Sequence, residues 1–135
     1  MILKVRHAMH SSPYTMDQEA SVTKTAKMMI QTGQDTLFVT EKGKVKGIVD
    51  LRTILRYTYA EGFRPNQVPV SEITNTATIF VRPSTSLDDV ITIMTETKQY
   101  TLAVVEDELV GSINICDILK AKPDIKPLET SPHMA

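Results

Sequence analysis

The stretch VGSINICDIL, residues 110–119, passes from apolar, strand-like residues into a helical pattern and sets Asn114 and Asp117 three apart at the junction. An asparagine at a helix N-cap accepts a hydrogen bond from a first-turn amide, and an acid three residues on reaches back to the cap's own amide. The pair therefore reads as a capping box. The same junction gathers unpaired backbone amides and the positive end of a helix dipole, which favours an anionic group, so a binding role stands beside the capping one. Sixty-four residues earlier, KGIVDLRTIL (46–55) repeats the pattern with Asp50 and Thr53 in the matching places.

Other residues capable of chemistry carry less. His7 and His10 have a spacing that could contribute to a metal site, but the segment supplies no third ligand, so exposed or packing roles are expected of them. Cys116 lies in the first turn beside Asp117, where a dipole can lower a thiol pKa. No histidine base shares that motif, and Cys116 is expected to be a small buried residue. Met28, Met29 and Met94 fall at helical spacing and are expected in a core rather than as ligands. The chain has no nucleophile–base signature and no glycine-rich phosphate loop. No catalytic residue, metal or catalytic cofactor is expected, and the protein is not read as an enzyme.

The elements that position these residues come twice. At an offset of 65, Val5 falls on Val70, Ser21 on Ser86, Met29 on Met94 and Gln34 on Gln99, and TLFVTE (36–41) falls on TLAVVE (101–106). The next turn is one residue shorter in the second copy, and the offset becomes 64, setting Gly47 on Gly111. Turns tolerate such deletions best. Each copy reads as a short strand (PYTM, 13–16; TIFV, 78–81) and then a helix capped by Ser21 or Ser86. Two strands around a charged turn follow, and a second helix begins near residue 51 or 115. The first helices show apolar stripes at Val22, Ala26, Met29 and Ile30, and at Leu87, Val90, Ile91 and Met94. The fold class is thus α/β (α+β): two pseudo-symmetric β-α-β-β-α repeats packed as a tandem pair. The expected boundaries are repeat 1 over 1–60, a linker over 61–69 within EGFRPNQVPV, repeat 2 over 70–121 and a loosely ordered C-terminal tail over 122–135.

Composition bounds the partners. A chain of 135 residues buries roughly 68% of its unfolded surface, so a core is available, whereas a unit of about 60 residues is marginal alone. Fifteen Lys and Arg against sixteen Asp and Glu, spread along the chain, leave no basic stripe for a phosphate backbone. No nucleic-acid partner is expected. No apolar run approaches the roughly 18 residues that span a bilayer, so no membrane partner is expected either. With one cysteine and no internal disulfide, the expected location is cytoplasmic.

Together these features, a repeated strand–helix–strand–turn unit ending in GIVDLRTIL and GSINICDIL, resemble the cystathionine β-synthase (CBS) domain in its usual tandem pair over about residues 3–121. The resemblance implies a regulatory module that binds an adenosine-containing ligand in the cleft between repeats. The Ser/Thr position of the motif would face phosphate and the acid three residues on would hold ribose hydroxyls. Carried over, the better site comprises Asp117, Asn114 and Ile113, completed by Tyr14, Asp35, Thr36 and Phe38 of the other copy. A weaker second site comprises Asp50, Thr53, Ile79, Tyr100 and Thr101, where Thr53 lacks the charge and Asp50 repels phosphate. Ordinary core packing is the stronger reading of Tyr14 and Phe38 taken by themselves. Asp35 and Thr36 stand where some members carry basic residues, so AMP, ADP or S-adenosylmethionine suits the charge better than ATP, unless Arg6, His7 or Arg52 swings in. A homodimer is expected through stripes that include Met28, Ile93, Ile54, Tyr57 and Leu119, acting on a separate, unidentified effector protein. The alternative is an interaction scaffold of the same fold that has lost its ligand, for which the degraded first motif speaks.

Overall fold

In the computed structural model, which describes residues 2–121, the chain forms two three-stranded sheets, each carrying two helices. The expected tail over 122–135 lies outside the described residues. In the first half, β1 (Thr15–Asp17) leads through α1 (Val22–Thr32) to β2 (Thr36–Glu41), β3 (Lys44–Asp50) and α2 (Leu51–Leu55), which runs on as a π-helical turn, Arg56–Ala60. In the second half, β4 (Phe80–Val81), α3 (Leu87–Thr97), β5 (Thr101–Glu106), β6 (Glu108–Asn114) and α4 (Ile115–Ala121) repeat the order. In each sheet the middle strand pairs parallel with the first and antiparallel with the third.

Local chemistry accounts for the element ends. Ser21 and Ser86 accept from the backbone amides of Lys24 and Asp89 at 3.0 and 3.1 Å, as N-caps should. Helix α1 stops at Gly33 in the left-handed region, φ 72°, and α3 stops at the matching Lys98, φ 58°, where the side chain makes the conformation costly. The β2–β3 turn uses Lys42 and Gly43, both at positive φ, whereas β5–β6 turns on Asp107 alone. That one-residue difference is the offset change seen in the sequence.

Each sheet buries its helix-covered face in its own core. Met16, Val22, Met29, Leu37, Val39 and Val49 build the first, and Val81, Leu87, Val90, Met94, Leu102 and Val104 build the second. Ile91 packs against the second core, while Ile30, placed on the first helix's core stripe by spacing, is 81% exposed.

The cores exchange segments. Val5 belongs to the second core, and Val70 and Ile73 belong to the first. The start of the chain lies along the second half, with Val5 N donating to Thr85 O and Leu87 N to Leu3 O, and His10 and Ser112 exchange both backbone bonds at 2.9 and 3.0 Å. Correspondingly, residues 68–75 lie along the first half: Val22 N donates to Val68 O, and Ile48 and Asn75 exchange both backbone bonds. Gly47 and Gly111 make this crossing fit, since a Cβ at either would stand 2.3 Å from Asn75 O or 2.5 Å from His10 O.

Candidate functional site

Two clefts open between the halves, and both are bordered by Asp35, Thr36, Thr101 and Asn114. The first, about 440 Å³, is completed by the segment from His10 to Tyr14, by Gln34 and Phe38, and by Ser112. The second, about 830 Å³, is completed by the β3–α2 junction (Ile48, Asp50, Leu51, Arg52), by Lys98 to Tyr100 and by Ile115 and Cys116. Tyr14, Asp35, Thr36, Phe38 and Asn114, all expected at the better site, meet at the first cleft. Asp50, Tyr100 and Thr101, expected at the weaker one, meet at the second. Phe38 is 3% exposed and Tyr14 49%, so the phenylalanine forms a floor and the tyrosine a free wall.

Four expected residues border neither cleft, the buried Asp117 and three others. The Ile113 side chain is fully buried in the second core because β6 alternation turns it away from the cleft. Ile79 packs against that same core, and Thr53 borders neither cleft. At Thr53 the backbone amide is tied to Asp50 Oδ1 at 2.8 Å, so the first-copy motif is a helix cap.

At the second junction both halves of the capping box form: Asn114 Oδ1 accepts from Asp117 N at 3.0 Å, and Asp117 Oδ2 accepts from Asn114 N at 2.9 Å. Ile115 N donates to Tyr100 O, as Leu51 N does to Asp35 O, so the opening amides of both second helices are partly committed to the neighbouring strand. The Asp117 side chain is 5% exposed, and its other oxygen lies 2.7 Å from His10 Nε2, whose side chain is 63% exposed. His10, not Asp117, borders the first cleft. This contact joins residues 107 positions apart, and neither motif pointed to it. Cys116, expected buried, is exposed at the second cleft because it lies with Ile115 on the cleft side of α4, while Asp117 and Ile118 take the buried side.

The charges differ between the clefts. Among the described residues the first is bordered by Asp35 and His10 and by no lysine or arginine. The second brings Arg52 and Lys98 beside Asp35 and Asp50. His7 Nδ1 accepts from Lys4 N at 2.9 Å, which holds that ring in its own turn. Among the described residues no group of three or more His, Cys, Asp or Glu is placed to hold a metal ion.

The sequence profile of the CBS domain matches residues 5–59 and 70–124, the two repeats in turn. The chain belongs to the CBS domain family. The CBS domain-containing protein YhcV of Bacillus subtilis is 30% identical over 115 residues, covering 84% of this chain and 81% of its own length. Among solved structures, the CBS-domain containing protein ATU1752 of Agrobacterium tumefaciens superposes with a TM-score of 0.79 at 23% identity, over 88% of this chain and 98% of that one. The CBS pair of protein MJ0100, in complex with 5′-methylthioadenosine and S-adenosyl-L-methionine, superposes with a TM-score of 0.81 at 23% identity, over 93% of this chain and all of that one. The tandem CBS architecture expected from the repeat is therefore the fold of this chain. No described helix is long and apolar enough to cross a membrane.

Proposed function

We propose that this CBS pair is a non-enzymatic regulatory module whose first cleft binds an adenosyl compound without a polyphosphate, of the class of S-adenosylmethionine, 5′-methylthioadenosine or AMP. The observation that carries the reading is the wall of the first cleft. It is concave, of a size suited to a small ligand, built from both repeats, and has an aromatic floor and a carboxylate at Asp35 with no lysine or arginine among the described residues. An adenine ring would lie against Phe38 and Tyr14, and the Asp117 carboxylate, which stands behind His10 outside the cleft lining, would hold the ribose hydroxyls once reached. A triphosphate there would meet Asp35 with no lysine or arginine among the described residues to offset it, whereas a sulfonium or thioether tail would not be repelled. The likeness to the MJ0100 pair supports the ligand class. Because the ligand would touch both repeats, its binding would bias their relative arrangement, the output that a separate effector protein would read.

Thermal melting tests this. At 100 times its dissociation constant a bound ligand adds about 2.7 kcal/mol, which for a chain this size raises Tm by roughly 8–13 °C. S-adenosylmethionine, 5′-methylthioadenosine or AMP should give such a shift and ATP a smaller one. No shift with any adenosyl compound would favour the second reading, an interaction scaffold without a ligand. That alternative is supported by the Asp117 carboxylate already having partners on both oxygens.

A further inference from the structure

The proposed function assigns the Asp117 carboxylate to the hydroxyls of an adenosyl ligand, yet in this structure both of its oxygens have donors. Oδ2 takes the backbone N–H of Asn114, a bond within the capping box that fixes the carboxylate's plane. Oδ1 takes the Nε2–H of His10 at 2.7 Å. With the Asp117 side chain 5% exposed and the imidazole bordering the cleft, a molecule entering the first cleft meets His10 before it meets the acid.

The two partners differ in how firmly they are held. The Asn114 amide belongs to the backbone of the β6–α4 junction and cannot leave. The His10 backbone is equally fixed, by its two bonds to Ser112 and by its carbonyl's close approach to Gly111, but its side chain is 63% exposed, so a change of χ1 rotamer would carry it into solvent. Only the imidazole can yield.

The repeat supplies an internal comparison. At the offsets that align the copies, His10 corresponds to Asn75 and Asp117 to Thr53. Asn75 keeps the backbone bridge, to Ile48, but its side-chain oxygen turns away to accept from Ala77 N. The side-chain contact thus occurs in the copy that has the acid, and where the acid is replaced the imidazole is too.

We infer that His10 is a built-in competitor for the ligand's place at Asp117. Its Nε2–H occupies the carboxylate oxygen that ribose hydroxyls would take, and ligand entry requires the imidazole to swing aside while the backbone bridge to Ser112 stays closed. The inference rests on the adenosyl reading of the first cleft. It sets the affinity of that cleft, since each binding event must break one half-exposed contact, and it couples occupancy to the opening segment of the chain, which is tied to the second half through Val5 and His10 and runs on into β1 of the first.

The test is calorimetric titration of wild type, His10→Ala, His10→Gln, Asp117→Ala and the double variant His10→Ala/Asp117→Ala, with S-adenosylmethionine and 5′-methylthioadenosine as probes. His10→Ala should bind about three- to tenfold more tightly, the scale of releasing one such contact. His10→Gln, which keeps a donor, should stay within about twofold of wild type. The double variant should bind no better than Asp117→Ala, because the gain requires the acid. In a 15N-labelled wild type, saturation with a probe should move the His10 Nε2 resonance, which a merely structural histidine would not show. Equal or weaker binding by a folded His10→Ala would overturn the competitor role while leaving the adenosyl reading intact. Absence of binding by both wild type and His10→Ala would remove both, whereas binding by His10→Ala alone would support both.

Discussion

At the residue scale, the reciprocal bonds of Asn114 and Asp117 were legible in the sequence because they depend on a spacing of three at a helix start. The His10 contact was not, because it joins the two ends of the chain and no local pattern encodes it. Cys116 was misplaced for a related reason: helical spacing sets which residues share a face but not which face meets a cleft. The account predicts that Asp117→Ala weakens binding of S-adenosylmethionine about 10- to 100-fold, by loss of charge-assisted bonds to the sugar. It should also cost about 1–2 kcal/mol of stability, since the Asn114 amide loses its acceptor. Thr53→Ala, at a residue that borders neither cleft, should leave first-cleft affinity unchanged in the same titration. Native Cys116 should react promptly and stoichiometrically with a thiol reagent, and Cys116→Ser should keep first-cleft affinity within a few fold; a protected thiol would contradict its placement at the second cleft.

At the element scale, alternation and capping identified the strands and helices, and the shortened β5–β6 turn accounts for the change of offset. The exchanged segments escaped the sequence, because the bridges of His10 to Ser112 and of Asn75 to Ile48 pair residues far apart that carry no strand-like alternation. Their trace is Gly47 and Gly111, aligned in the repeat and each pressed by a backbone carbonyl. Gly111→Ala should force the His10 carbonyl aside and destabilise the chain by about 1–3 kcal/mol, read as a lower midpoint in urea. A neutral Gly111→Ala would mean that the opening segment is loosely held. Lys98→Gly relieves a side chain at φ 58° and should raise stability by about 0.5–1 kcal/mol. A loss of stability would show that the Lys98 side chain is held by contacts along the second cleft.

At the scale of the whole molecule, two marginal repeats become one stable unit by lending each other a segment, and the clefts arise where the halves face one another. Ile54, expected on a dimer stripe, is buried in the first core, but Leu51, Leu55, Ile115 and Leu119 of the second helices are between 44% and 56% exposed. Helices with this much exposed apolar surface are expected to pair with a second copy. Light scattering at micromolar concentration should give twice the chain mass of 15.1 kDa, and a monomer mass would refute the dimer. The central claim is that the first cleft binds an adenosyl compound through Asp117. Titration of S-adenosylmethionine into wild type and into Asp117→Asn, which keeps the side chain's size and its capping oxygen, tests it most directly. The account predicts saturable binding by the wild type and at least tenfold weaker binding by a variant that melts within a few degrees of it; equal affinities, or no binding by the wild type, would contradict it.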